Sequence, residues 1–212
     1  MKKEIKAIIF DIGGVLQLGK YSSKPIRGHR ELGVHNFIIK KLKISLDQYF
    51  DSLDTAYVKS IEGTILEKEV IKIISKNLKI SQKKLKQLFD QAYKKHFKLN
   101  TQLIDFAIKL KKQGYKIAIL SDQWHISKKS LVTSEIKKHF KPSVISCDVG
   151  IRKPDKKIYQ LILKKLKLPA KSTLFIDNQE WNIKPAKKIG MNTILFKSNK
   201  QLINELRKLK II

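Results

Sequence analysis

The chain has 212 residues, of which 46 are basic and 18 acidic, giving a net charge of +28. With 42% hydrophobic and 30% charged residues it has the composition of a folded chain, not a disordered one, and is long enough for one to two domains with a real core. No unbroken apolar run exceeds four residues, which excludes a membrane span of about 20 residues and a signal-peptide core of about 7–15.

The first predicted strand is the apolar run at residues 5–10. From about residue 17 to 98 no strand pattern appears. Leu46, Tyr49, Phe50, Leu53, Ala56 and Tyr57 instead fall on one helical face. Ser45 with Gln48, and Thr64 with Glu67, have capping-box spacing. Ile71, Ile74, Leu78, Leu85, Leu88, Phe89 and Ala92 continue the helical period. Short apolar runs then return at residues 116–120, 143–146, 173–176 and 193–196. Helix-length amphipathic stretches separate them, at Thr101–Lys112, Lys156–Leu166 and residues 182–189, and a closing helix covers residues 200–210. Gly114 and Gly190 sit where helix C-caps belong. This alternation predicts an α/β fold with a doubly wound, mostly parallel sheet buried on both faces. An all-helical module is inserted after the first strand, so the core comprises residues 1–16 and 99–212 and the insertion residues 17–98.

The basic residues are 42 lysines and four arginines, Arg27, Arg30, Arg152 and Arg207. The lysines run through nearly every predicted helix on its polar side. A nucleic-acid surface more often concentrates charge, favours arginine and interleaves exposed aromatics. No specific nucleic-acid partner is therefore expected, only weak, salt-sensitive attraction to polyanions. The single cysteine, Cys147, cannot form an internal disulfide or a cysteine-built zinc site. It is expected to be a small buried hydrophobe in a cytoplasmic protein.

In a doubly wound sheet, ligands bind outside the carboxyl ends of the strands. Asp11 through Leu16 follow strand one, and Ser121 through Trp124 follow strand two. Asp148 through Asp155, containing Lys153, follow strand three, and Asp177 through Ile183 follow strand four. A carboxylate, a hydroxyl, an ammonium and a second carboxylate suit phosphoryl transfer. The first can attack phosphorus. The hydroxyl and backbone N–H groups can hold phosphoryl oxygens. The lysine can neutralise charge, and the second acid can hold Mg²⁺, which prefers oxygen ligands.

With these motifs the sequence resembles the haloacid dehalogenase-like hydrolase superfamily, in the branch with a small helical cap after motif one. The resemblance covers essentially the whole chain. It is most distinctive in Gly150-Ile151-Arg152-Lys153-Pro154-Asp155 and in the stretch with Asn182, Ala186, Gly190 and Met191. It implies a Rossmann-like core and a Mg²⁺-dependent phosphatase acting on a small phosphorylated metabolite. Asp11 would be the nucleophile, and the Gly13 carbonyl a metal ligand. Ser121 would bind the phosphoryl group, and Lys153 would pair with nucleophile and phosphate. Asp177 would serve the metal site.

Two positions depart from the family pattern. Gly13 stands where most of its phosphatases carry a second Asp that protonates the leaving group, a role typically worth about 10²–10⁴ in rate. His29 and His35 are candidate donors from the cap. Asn178 stands where a second acid normally binds Mg²⁺ directly, so weaker metal binding or a larger role for Asp177 is expected. Asp122 is a candidate for orienting or binding substrate. Arg27 and Arg30 are candidates for holding an anionic part of the substrate. Trp124 and Trp181 are expected to pack helix against sheet, and Asp155 to cap a helix. Two other readings stay open on the sequence alone. One is a metal-independent 2-haloacid dehalogenase, and the other is a non-catalytic binding or regulatory protein of the same fold.

Overall fold

The structure is a computed structural model and describes residues 5–19 and 33–212. In chain order the first elements are β1 (Ala7–Phe10), β2 (Gln17–Gly19), α1 (Gly33–Leu42), α2 (Leu46–Leu53), α3 (Ala56–Ile61), α4 (Glu67–Asn77), α5 (Gln82–His96) and β3 (Phe97–Leu99). There follow α6 (Thr101–Lys112), β4 (Lys116–Ser121), α7 (His125–Leu131), α8 (Ser134–His139), β5 (Ser143–Ile145) and α9 (Ser146–Val149). The chain ends with α10 (Lys156–Leu166), β6 (Thr173–Asp177), α11 (Glu180–Lys188), β7 (Asn192–Leu195) and α12 (Asn199–Lys208).

Five strands form one parallel sheet in the order β5-β4-β1-β6-β7. In the central strand, Ile8 lies opposite Ile117 on one side and Leu174 on the other. Alternate residues feed two cores, as the period of two requires. Ile8, Phe10, Ile119 and Ile176 join a core that takes in α6, α12 and the helices α1–α5. Ala7, Ile9, Leu120 and Phe175 pack on the other face against Ile158 and Ile162 of α10 and Ala186 of α11. Both faces are covered, so the strands read as continuous apolar runs.

Local signals explain the helix limits. Asn100 accepts a hydrogen bond from the Leu103 N–H at the start of α6, and Leu103, Ile104, Ala107 and Leu110 form its buried stripe. Asp155 accepts from the Lys157 N–H and caps α10, as expected. Gly114 and Gly190 take φ of +100° and +90° after α6 and α11, a conformation that favours glycine. The Ser45–Gln48 capping box is present.

Four expectations are corrected. Residues 17–98 are not strand-free: β2 and β3 form a short antiparallel ribbon, with Gln17 opposite Leu99. Thr64 does not cap α4; its hydroxyl donates to the Lys59 carbonyl, and Glu69 accepts from the Leu66 N–H instead. Trp181 does not pack helix against sheet but is 62% exposed. Trp124 is buried, yet its partners are Tyr57, Phe89 and Tyr93 from the inserted helices.

Those contacts belong to a seam between insertion and core. The Trp124 indole N–H donates to the Tyr93 hydroxyl at 2.9 Å. Ser60 Oγ lies 3.0 Å from His125 Nδ1 and accepts from the His125 backbone N–H. Glu62 pairs with Arg152 at 3.3 Å. The inserted helices thus sit down over the carboxyl ends of β1 and β4. Among the described residues, no helix is long and apolar enough to cross a membrane.

Candidate active site

Asp11 follows β1 directly, and its backbone N–H donates to the Ile176 carbonyl of β6 at 2.9 Å. Its carboxylate is therefore fixed at the carboxyl edge of the sheet. Ser121 ends β4 and is fully buried, and its hydroxyl hydrogen-bonds Asp11. Asp177 ends β6 and is also fully buried. Lys153 comes from the loop between α9 and α10. Asp122 Oδ1 holds that loop by accepting the Lys153 backbone N–H at 3.1 Å.

The lysine joins the strand ends. Lys153 Nζ donates to Asp11 Oδ1 at 2.9 Å and to Asp177 Oδ2 at 2.6 Å. It also lies 5.6 Å from the centroid of the Phe175 ring. Asp177 is held further by Asn182 Nδ2 at 3.0 Å on Oδ2 and by the Gln179 N–H at 2.8 Å on Oδ1. Gly13 and Gly14 turn the chain after Asp11, and Gly14 donates to the Gln17 carbonyl. Gly14 has φ of +84°, and a Cβ there would lie 2.4 Å from Asn178 Nδ2. The missing side chain makes room for the Asn178 amide.

Burial dominates the electrostatics. It pushes the Asp11 carboxyl up from its ordinary 3.8 to about 6; Lys153 opposes the rise and Asp177 adds to it. Burial alone would depress Lys153, but the carboxylates of Asp11, Asp177 and Asp122 outweigh it and hold the ammonium above the ordinary lysine range. Burial also raises Asp122. One ammonium therefore faces at least two carboxylates in a desolvated space.

Asn178 Oδ1 is buried and has no hydrogen-bond partner among the described residues. A buried carbonyl oxygen left bare costs about 1–3 kcal/mol. No cluster of three His, Cys, Asp or Glu occurs among the described residues. Two carboxylates with neutral oxygens remain, a donor set that fits a hard, oxygen-ligated ion that keeps several waters.

Above Gly13 lies a chamber of about 160 Å³ roofed by the inserted helices. His35 lines it, with Nδ1 3.1 Å from the Tyr49 hydroxyl. Burial lowers His35 to about 4, so its ring is neutral near pH 7. Gln123, which the sequence reading passed over, is buried and donates to Ser121 Oγ at 3.0 Å. Its place two residues beyond Ser121 was the only signal. Tyr57, Tyr93 and Phe97 were also missed as chamber walls: the helical stripes of the two tyrosines do not say which turn overlooks the site, and Phe97 opens the short strand β3, which had no pattern to read. Arg27, Arg30 and His29 lie outside the described residues.

Fold and cluster together define a Rossmann-like α/β protein with a buried Asp–Lys–Asp group at its strand ends under a helical insertion. The chain belongs to the haloacid dehalogenase-like hydrolases: the model of that family matches residues 5–190. It is 26% identical over 220 residues to bifunctional epoxide hydrolase 2 of Sus scrofa, covering 96% of this chain and 38% of that protein. The chain thus spans well under half the length of the first curated relatives it matches. A shorter likeness, 31% over 87 residues, is to (S)-2-haloacid dehalogenase of Pseudomonas putida, covering 41% of this chain and 38% of that one. Among solved structures, a HAD family enzyme of Bacteroides thetaiotaomicron superposes with a TM-score of 0.75 at 22% identity, covering 96% of this chain and 99% of that one. The same enzyme in complex with magnesium and inorganic phosphate superposes with a TM-score of 0.71.

Proposed function

We propose that the chain is a Mg²⁺-dependent phosphomonoester hydrolase, with residues 17–98 as its cap and Asp11 as its nucleophile. The observation that carries this reading is the charge imbalance around Lys153. One ammonium stands between Asp11 and Asp177, so a dianionic phosphoryl group would be repelled without a further cation. The bare Asn178 oxygen beside Gly14 is suited to hold that cation together with Asp11 and the Gly13 carbonyl. Asp177 has three protein hydrogen bonds already and supports the ion from behind. The bound ion supplies charge neutralisation for the phosphoryl oxygens.

The residues divide the remaining work. Asp11 attacks phosphorus, forming an acyl phosphate as the bond to the leaving alcohol breaks. The Ser121 hydroxyl and the Lys153 ammonium hold phosphoryl oxygens. Asp122 keeps the Lys153 loop in place through its backbone hydrogen bond. Water then cleaves the acyl phosphate and restores Asp11. Gly13 offers no acid, and neutral His35 is a poor one, so the leaving alcohol departs with little help. The one cysteine, buried and unpaired, is in keeping with work in the cytoplasm.

The test is hydrolysis of p-nitrophenyl phosphate with Mg²⁺ titrated from zero to high millimolar, beside Asp11→Asn. Metal-dependent turnover that vanishes in the variant is expected. The neutral Asn178 supports a second reading, that of a metal-independent dehalogenase. Halide release from a 2-haloacid in excess chelator, without phosphate release, would put that reading in its place.

A further inference from the structure

The chamber above Gly13 differs in character from the rest of the molecule. Its apolar walls are Tyr57, Ile61, Tyr93, Phe97, Trp124 and Leu131, and the polar side chains of His35, Asp122, Gln123 and Ser127 line the remainder. The Tyr57 and Phe89 rings lie 5.3 Å from that of Trp124 and set its plane. The Trp124 N–H is already spent on the Tyr93 hydroxyl, so the indole offers the chamber only apolar surface. In a chain with 46 basic residues out of 212, none of the described lining residues is Lys or Arg. Among the described lining residues the one charged side chain is Asp122, an acid. A second anionic group on a substrate would face Asp122 there. A neutral ring or short apolar group would meet aromatic faces.

Size narrows the choice. The chamber measures about 160 Å³, and a dry apolar cavity of about 150 Å³ holds one benzene-sized ring. Its floor is Gly13, two residues from the Asp11 nucleophile, so it lies where the leaving alcohol of a phosphomonoester would point.

We propose that this chamber receives the leaving alcohol, and that the preferred substrates are phosphates of compact, uncharged aromatic or apolar alcohols of about one ring. The inference rests on the phosphatase reading for its chemistry, but the chamber's preference has a separate readout.

The experiment compares benzyl phosphate, glycerol 1-phosphate and phosphoglycolate. All three release an alkyl alcohol, so pocket fit and not leaving-group strength should set the order. Benzyl phosphate should lead in kcat/KM by about tenfold or more. Tyr57 is 36% exposed at the rim, so Tyr57→Arg can place a cation there without burying it. That variant should narrow or reverse the order in favour of phosphoglycolate, with its thermal melt confirming a folded chain. Binding is read independently in Trp181→Phe, which leaves Trp124 as the sole tryptophan. Its emission should shift saturably with benzyl phosphate and not with phosphoglycolate. Equal or better turnover and binding of phosphoglycolate would overturn the inference while the phosphatase reading stood. Selective binding of benzyl phosphate with no hydrolysis of any phosphomonoester would do the reverse.

Discussion

Gly13 and Gly14 are neighbours with opposite reasons to be glycine. Gly14 is fixed by its positive φ and by the Asn178 amide, which would collide with any Cβ. Gly13 has no such constraint: an added Cβ would meet only Gln123 Nε2, at an ordinary 4.0 Å. A Cβ therefore has room where the family pattern carries its general acid. Gly13→Asp is expected to raise kcat/KM for benzyl phosphate by about 10². Turnover of p-nitrophenyl phosphate, whose leaving group needs no proton, should change little. A series of leaving groups checks this, since the dependence on leaving-group basicity should become shallower. An unchanged slope would mean that the alcohol already receives its proton from another group. Asp11 carries a cost of a different kind. Its carboxyl sits at about 6 in the folded chain against an ordinary 3.8. The raised value means that the folded state holds the proton more tightly, so this group's contribution is fully present below about pH 4 and is lost as pH rises through 6. Ionised Asp11 then costs on the order of 3 kcal/mol. Asp11→Asn lacks that titration, and Lys153 keeps Asp177 as its partner. In chelator, the variant should melt above the parent chain at pH 7, with the gap closing towards pH 4. A variant that melts lower at pH 7 would show that the ion pair with Lys153 outweighs burial.

At the scale of elements, legibility followed how local each signal is. The strands β1, β4 and β6 were readable because a buried parallel strand is apolar on both faces and leaves an unbroken run. Helices α6 and α10 were readable to the residue, because each has a side-chain cap and a stripe of buried residues. The ribbon of β2 and β3 was not, since each strand has three residues and Gln17 finds Leu99 only through the fold. Thr64 misled for a related reason: its hydroxyl had a nearer acceptor in the Lys59 carbonyl than the helix that spacing suggested. The same division runs through the site. Asp11, Ser121 and Asp177 were legible because strand ends deliver them, and Lys153 because the motif around it is distinctive. Their distances were not legible, nor was the spare oxygen of Asn178. The aromatic roof was hidden as well. Tyr57 and Tyr93 look like ordinary members of amphipathic stripes, and only the docking of α3 and α5 on the Trp124 loop makes them walls.

Over the whole molecule, part of the net charge of +28 is placed by the core helices. Basic residues crowd the last turns of the core helices: Lys109, Lys111 and Lys112 in α6, Lys164 and Lys165 in α10, Lys187 and Lys188 in α11. There they complement the negative ends of the helix dipoles. Each of these helices leads into the start of a parallel strand, β4, β6 or β7. Their C-terminal turns therefore lie at the edge of the sheet opposite Asp11, Ser121 and Asp177. A polyanion drawn to these seven lysines should gather on the far edge and leave the chamber open. Fluorescence anisotropy with two unrelated labelled DNA duplexes checks the first part. Binding should be equal for both and weaken by about 10³ or more between 50 and 200 mM salt, as pure phosphate attraction does. Turnover of p-nitrophenyl phosphate at low salt, with the duplex at saturation, checks the second. The rate should be unaffected once Mg²⁺ lost to the duplex is replaced. Competitive inhibition by the duplex would place the attracting charge at the mouth of the site, and a sequence preference that survives 200 mM salt would require a built nucleic-acid surface.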